Sequence, residues 1–378
     1  MIPDTMKRIS LFILLTSVLI ACGGNDPDDP VIDPVLPVTT PSFAKGADIS
    51  WVSEMEKGGK QFRKEDGTAA DIFDVLKEKG INSIRLRVWV DPYNGWSGKD
   101  DVVALATRAA KAGMALMVDF HYSDFFADPS RQTVPAAWEA GKNDLDKMAK
   151  HVSDHTAGVL TALKQAGVTP AWVQVGNETR NGMLWPAGQL WTSSGDIPNG
   201  RANFAQLLNA GYDAAKGVFP GIQVLVHLNN AYDENAWWFE QVRTAGGKFD
   251  AIALSHYPQA ETQFTAQQYN AKAITQIKAL ISKFNLPVII SEVGVKTQAN
   301  ETLAAQVLFE FMTEAKKIDK CAGVFYWEPE VYGGWKPAVY GNADRIQKYT
   351  GKKETWGAYD MGAFMADGKA SGVMDAFK

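Results

Sequence analysis

Ala171-Trp-Val-Gln-Val-Gly-Asn-Glu178 is the stretch on which the fold turns. Four of its first five residues are apolar, as in a short strand buried on both faces. The run then stops at Gly176 and delivers an amide and a carboxyl at its exit. It follows an amphipathic stretch closed by Ala166-Gly167, so the local order is helix, glycine stop, buried strand, polar exit. That order recurs on both sides. Strands are expected near Phe43–Trp51, Ile81–Val90, Met114–Tyr122, Ala171–Glu178, Gln223–Asn230, Ala251–Pro258, Pro287–Gly294 and Cys321–Pro329. Helices are expected at Ala69–Lys79, Asp101–Ala112, Asp144–Ala166, Arg201–Val218, Ala236–Thr244, Ala266–Phe284 and Ala304–Asp319. Eight buried strands alternating with helices predict an α/β fold of the (β/α)8 TIM-barrel type, a single domain with long βα loops. An open doubly wound sheet would need a glycine-rich loop after an early strand, and the chain has none there.

The strand exits are polar or aromatic almost without exception: Arg87 and Trp89, Asp119 and His121, Asn177 and Glu178, Asn229 and Asn230, His256 and Tyr257, Glu292, Trp327 and Glu328. In a parallel barrel this end carries the chemistry, and a purely structural protein has no use for such a ring. Two members stand out. Glu178 ends the fourth strand and Glu292 the seventh, 114 residues later, a spacing of three βα units. Retaining glycoside hydrolysis needs such a pair, one carboxylic acid to protonate the leaving oxygen and one carboxylate to attack the anomeric carbon, about 5–5.5 Å apart.

The motifs around these residues carry a resemblance. Gly46-Ala-Asp48-Ile-Ser-Trp51, Arg85-Leu-Arg87-Val-Trp89-Val-Asp-Pro92, Asp119-Phe-His121-Tyr-Ser-Asp124, Val175-Gly-Asn177-Glu178, Ser255-His256-Tyr257-Pro258, Ile290-Ser-Glu292-Val-Gly and Tyr326-Trp327-Glu328-Pro329 occur in order across the barrel. Together they resemble glycoside hydrolase family 53, the arabinogalactan endo-β-1,4-galactanases. The resemblance implies acid/base work for Glu178 and nucleophilic attack by Glu292, releasing galacto-oligosaccharides from β-1,4-galactan by double displacement. On that reading Arg87 keeps Glu292 ionised, Asn177 binds the sugar 2-hydroxyl, and Tyr257 or His256 orients Glu292. Asp48 and His121 belong to the same substrate-binding set, and Trp327 floors the reacting subsite. A galactan chain curves at its axial C4 oxygen, and Trp89 and Trp335, ahead of Trp138 and Trp356, are the candidate stacking platforms along it. Two other functions fit part of the pattern: a retaining hydrolase of another β-linked glycan such as mannan or cellulose, and a surface glycan-binding lipoprotein on a catalytically decayed barrel. The paired glutamates cannot separate the first from a galactanase; a binding-only groove would have no use for them.

The remainder of the chain bounds the setting. Lys7 and Arg8 precede an apolar run, Ile9 to Ala21, too short to span a bilayer and ending in Leu19-Ile20-Ala21-Cys22. Residues 1–21 therefore read as a signal peptide and Cys22 resembles a bacterial lipidation site. Residues 22–42, rich in Pro, Asp and Gly, read as an extended tether, and 43–378 as the catalytic barrel. The expected location is the cell envelope, lipid-anchored at the outer membrane and surface-exposed, with membrane contact through the anchor alone. With Cys22 acylated, Cys321 has no partner and is expected as a buried core thiol. A net charge of −5 without a basic block argues against nucleic acid as a partner, and the chain is read as a monomer whose partner is the polysaccharide. No metal and no cofactor is expected. The connection Val295–Asn300 offers too few hard oxygen ligands for the calcium that some relatives of this family bind after the seventh strand. His151 and His155, one helical turn apart, are expected on a solvated helix face rather than on a metal.

Overall fold

The computed structural model describes residues 38–378 apart from 259–263, 298–299 and 357–359. Cys22, with the signal and tether segments, lies outside the described residues, as does part of the connection from 295 to 300. Eight parallel strands close into a barrel: β1 (Ala44–Asp48), β2 (Ser83–Val88), β3 (Ala115–Phe120), β4 (Trp172–Val175), β5 (Gln223–Leu228), β6 (Ala251–His256), β7 (Val288–Val293) and β8 (Cys321–Trp327). Neighbours in chain order pair side by side, and β8 returns to β1 with Gly46 beside Phe325 and Asp48 beside Trp327.

Helices Ile72–Glu78, Lys99–Lys111, Leu145–Gln165, Gly200–Val218, Ala236–Thr244, Ala266–Phe284 and Glu301–Ala315 follow the first seven strands. Their starts are chemically marked. Asp71, Asp144 and Asn300 each accept an otherwise orphaned backbone N–H, and Thr265 forms a reciprocal capping box with Gln268. After β8 the chain instead makes a short helix, Ala343–Thr350, and a closing 3-10 turn, Gly372–Phe377, packed on Glu301–Ala315. Short hairpins such as Gly182–Met183 with Gly188–Gln189 fill the loop after β4. Pieces of two residues leave no periodicity to read.

Inside the barrel the side chains form two storeys. The lower one is apolar: Ala44, Ala115, Met117, Trp172, Leu225, Ala251, Ala253, Ile289 and Phe325 pack together, with Trp172 and Phe325 edge to face at 6.0 Å. Rings this large fit because small residues face them; a Cβ on Gly46 would collide with the Phe325 ring. The upper storey is polar and buried, comprising Asp48, Arg85, Asp119, Gln174, His227, Ser255 and Glu292, one from each strand from β1 to β7. An apolar plug beneath a polar layer gives the barrel one chemically active end.

Cys321 is buried and free, as expected. The two histidines of Leu145–Gln165 are placed differently from the expectation. His151 lies flat on Trp138, ring centres 5.0 Å apart at 4°, and His155 meets Phe120, Tyr122 and Trp138 edge-on. Their face is an aromatic seam beneath the loop after β3 and not a solvated one. The helical pattern showed only the histidines; the seam depends on Trp138 folding back over them.

Candidate active site

Glu292 reaches the barrel interior through a fault in its strand. Ile289 faces inward, so simple alternation would next turn Ser291 inward. The register on β6 instead jumps from Leu254 opposite Ile290 to Ser255 opposite Glu292, and the pairing with β8 shifts over the same residues. This bulge turns the Glu292 carboxylate to the centre, the kind of re-aiming that bulges provide beside active sites. Glu178 is delivered by a turn. Gly176 (φ 81°) and Glu178 (φ 45°) are both left-handed, and a Cβ on Gly176 would lie 2.5 Å from Thr179 Cγ2. A non-glycine residue in that conformation is strained, and Glu178 is held in it by its backbone N–H to His227 Nδ1 (3.2 Å) and by Thr179 N–H to the His227 carbonyl (2.9 Å).

The two carboxylates come together. Oxygens of Glu178 and Glu292 and a ring nitrogen of His227 lie within 4.8 Å of one another. The arrangement suits the retaining separation of about 5–5.5 Å rather than the roughly 6.5–9.5 Å that leaves room for an inverting water. Tyr257 donates its hydroxyl to Glu292 Oε2 (2.7 Å). Ser255 Oγ sits 2.6 Å from Glu178 Oε1 and 3.2 Å from Glu292 Oε2.

Arg85 is the cation of the site. Its guanidinium bonds Asp48 Oδ2 (2.7 Å), Asp119 Oδ2 (2.8 Å), Glu292 Oε1 (3.0 Å) and Asn177 Oδ1 (2.9 Å). One guanidinium serves Asp48, Asp119 and Glu292 but makes no contact with Glu178, so the charges fall unequally. Burial raises the Glu178 pKa to about 8, and the neighbouring Glu292 charge adds to the rise. Burial also raises Glu292, but Arg85 and the Tyr257 hydroxyl pull it back. Glu178 is therefore the carboxyl that keeps its proton and Glu292 the one that ionises first, the division of roles an acid and a nucleophile require.

The cleft above this pair has a volume of about 590 Å³ and is lined by Asp48, Arg85, Arg87, His121, Asn177, Tyr257 and Trp327 among others. Asp48 and His121 are locked in place, Asp48 by Arg85 and by the Ser50 hydroxyl (2.7 Å), His121 by Asp119 (2.8 Å) and the Ala127 N–H (3.1 Å). Asn177 gives one amide hydrogen to the Ala127 carbonyl and retains a second. Trp327 is half-buried at the cleft floor, edge-on to Tyr257. Tyr340 and Trp356, from the long segment after β8, form another wall.

Four expectations change. Arg87 does not touch Glu292: it pairs with Glu328 (2.6 Å) and lies over the Trp51 ring at 4.1 Å, one step further along β2 than Arg85. Both arginines point inward by alternation; the bulge on β7 turns Glu292 inward as well, at the height of Arg85. Trp89 is no platform, being buried among Trp51, Phe125 and Phe126, and Trp335 packs on Trp51 away from the cleft lining. His256 points outward between Ser255 and Tyr257, bonding Asn270 (2.8 Å) and packing on Phe311, so Tyr257 alone of that pair orients Glu292. Beyond the expected residues, Arg85 is the central cation, and Gln174, His227 and Ser255 join it at the site. Their signal was present, since polar residues inside otherwise apolar strands need buried partners.

Comparison with known proteins agrees with this geometry. The profile of glycosyl hydrolase family 53 matches residues 44–371. An arabinogalactan endo-β-1,4-galactanase of Cellvibrio japonicus is 35% identical over 314 residues, 76% of this chain and 80% of that one. One from Thermothelomyces thermophilus is 30% identical over 311 residues, covering 75% and 89%. An uncharacterized protein of Niallia circulans is 37% identical over 219 residues, 57% of this chain and 59% of that one. Among solved structures, a fungal β-1,4-galactanase superposes with a TM-score of 0.71 at 27% identity, covering 88% of this chain and 98% of the other. The family 53 catalytic domain of Ignisphaera aggregans gives 0.72 at 26% identity, covering 92% and 98%.

Proposed function

Because this chain belongs to glycosyl hydrolase family 53 and is a glycoside hydrolase, we propose that it is a retaining endo-β-1,4-galactanase with Glu178 as acid/base and Glu292 as nucleophile. The observation that carries the residue roles is the unequal pair itself: two carboxyls within 4.8 Å, Glu292 in direct contact with Arg85 and Tyr257, Glu178 half-buried and held by the Ser255 hydroxyl. In the first step Glu292 attacks the anomeric carbon as Glu178 passes its proton to the departing glycosidic oxygen, leaving a galactosyl-enzyme and an ionised Glu178. In the second, Glu178 takes a proton from water, whose oxygen displaces Glu292 and restores the starting state. Asn177 offers its spare amide hydrogen to the sugar 2-hydroxyl, and Trp327 supplies the apolar floor. The test is digestion of β-1,4-galactan by residues 44–378 beside Glu292→Ala. Galacto-oligosaccharides from the wild type alone support substrate and nucleophile together. Galactan left intact while mannan or cellulose is cut would overturn the substrate, and a glycan bound but uncut would overturn catalysis.

The N-terminal residues support a second part of the proposal, that the enzyme is tethered to the cell envelope through a lipid on Cys22. Cys22→Ala should move the full-length protein from the membrane to the soluble fraction. An unchanged distribution would refute the anchor.

A further inference from the structure

Nothing in the reaction as described uses Ser255 or His227, yet both are buried at its centre. Ser255 Oγ is 2.6 Å from Glu178 Oε1, 3.2 Å from Glu292 Oε2 and 2.9 Å from His227 Nε2. A serine hydroxyl has a single proton, so it can serve one carboxylate at a time. His227 determines that the proton is free to serve them. Its Nδ1 receives the backbone N–H of Glu178 at 3.2 Å and faces the Gln174 amide nitrogen at 3.1 Å. Asn177 Oδ1 is also near, at 2.9 Å, but it already accepts from Arg85. Two donors against one acceptor at Nδ1 put the ring proton on Nε2, where it is donated to Ser255 Oγ. Burial, with Arg85 close by, holds the imidazole well below its ordinary pKa and keeps it neutral.

This geometry matters because the reaction moves charge. Before the first step the negative charge is on Glu292; after it, Glu292 is esterified and the charge is on Glu178. We infer that Ser255 is a positioning residue whose hydroxyl follows that charge, turning about its Cβ–Oγ bond from Glu292 Oε2 to Glu178 Oε1 as the glycosidic bond breaks, with His227 holding the oxygen in place. No proton leaves Ser255; the proton lost by Glu178 goes to the leaving oxygen. The other charged and titratable groups that bear on the two carboxyls are Tyr257, Arg85, Asp119 and Asp48 around Glu292, and Asp128 and Arg180, with Arg85 again, around Glu178. Among the described residues none of these hydrogen-bonds both glutamates, and the β7 bulge that sets Ser255 beside Glu292 is what makes the bridge.

The inference rests on the galactanase reading, and the test separates the two. Wild type, Ser255→Ala and Ser255→Thr are compared on β-1,4-galactan and on a dinitrophenyl β-galactobioside, whose leaving group departs without a proton. On galactan, Ser255→Ala should lose roughly ten- to a hundredfold in kcat with little change in KM, the loss of one hydrogen bond to a charged group. On the activated substrate Glu178 stays neutral during the first step, so the burst of dinitrophenol should stay within about threefold of wild type. Hydrolysis of the galactosyl-enzyme then reports the ionised Glu178 directly, and its acidic limb should rise by about one pH unit. Ser255→Thr, which keeps the hydroxyl, should restore both. If the burst falls as far as the galactan rate, the residue is merely structural; if neither rate nor limb moves, it has no role; either result overturns the inference. Should Ser255→Ala fail to fold, the limb is read on Ser255→Thr and Ser255→Gly, where a difference is expected and equality would refute the switch. A wild type that leaves galactan uncut would instead remove the galactanase reading.

Discussion

Replacing Arg85 with methionine should close the pH window of this enzyme, whereas the same change at Arg87 should leave the window open. Among the described residues Arg85 is the cation in contact with Glu292, at 3.0 Å, while Arg87 spends its charge on Glu328 at 2.6 Å. Opposite charges at about 4 Å in surroundings of effective dielectric about 20 attract by about 4 kcal/mol. Removing that attraction would raise the Glu292 pKa by up to about 3 units at 1.36 kcal/mol per unit, and solvent entering the cleft reduces this toward about 2. The sign is fixed by the roles. Glu292 must be ionised, so the acidic limb of kcat/KM rises; Glu178 must be protonated, so the alkaline limb near its pKa of about 8 stays or rises only a little. The limbs then approach each other, and the fraction of enzyme in the active protonation state falls at every pH. Arg87→Met should instead cost stability, about 3–5 kcal/mol for breaking the buried Arg87–Glu328 ion pair, with the bell unmoved. The assay is kcat/KM on galactan between roughly pH 4 and 9, with thermal melts of each variant. A bell of wild-type width in Arg85→Met, or one that closes in Arg87→Met, would refute the assignment of the cation.

Three further outcomes follow from single contacts. Tyr257→Phe removes the 2.7 Å hydroxyl donor from Glu292 Oε2 and should lower kcat roughly ten- to a hundredfold with KM nearly unchanged, read by steady-state kinetics on galactan. Gly176→Ala places a Cβ 2.5 Å from Thr179 Cγ2 at φ 81° and should destabilise the fold by about 1–3 kcal/mol in urea; an unchanged midpoint would count against the turn that delivers Glu178. Glu178→Gln should be inactive on galactan yet gain on the wild type in melting temperature as pH rises. The folded Glu178 pKa of about 8 lies above its ordinary value of 4.5, so the wild type is favoured while the group stays protonated. That advantage is lost as pH climbs from about 4.5 through about 8, a loss the glutamine cannot suffer. Parallel melting curves across that range would contradict the burial of Glu178.

The features legible in the sequence were those governed by local rules. Glu178 announced itself because a buried run ends in Gly-Asn-Glu, and Ala266–Phe284 because an amphipathic stretch of helical length lies between two buried runs. The misreadings at Arg87 and His256 have one cause. Alternation says which face of a strand a residue occupies but not its height along the barrel axis, and height decides which partner an inward residue meets. Arg85 and Arg87 share a face; Arg85 lies in the polar storey beside Glu292, and Arg87 one step above it, against the Trp51 ring. For His256 the needed evidence was the role of its neighbours: once Ser255 faces inward, His256 must face the helices and Tyr257 the cleft. The bulge at Ser291 was beyond such reading, because no residue type marks it and it exists only as a mismatch between β7 and its two neighbours. That mismatch nevertheless fixes the chemistry. Without it Ser291 would face the centre, and Arg85, Tyr257 and Ser255 would surround a hydroxyl where the reaction needs a carboxylate. The proposed nucleophile, Glu292, is therefore placed jointly by three strands, and substitutions that relax the β7 bulge should abolish activity while the barrel remains closed.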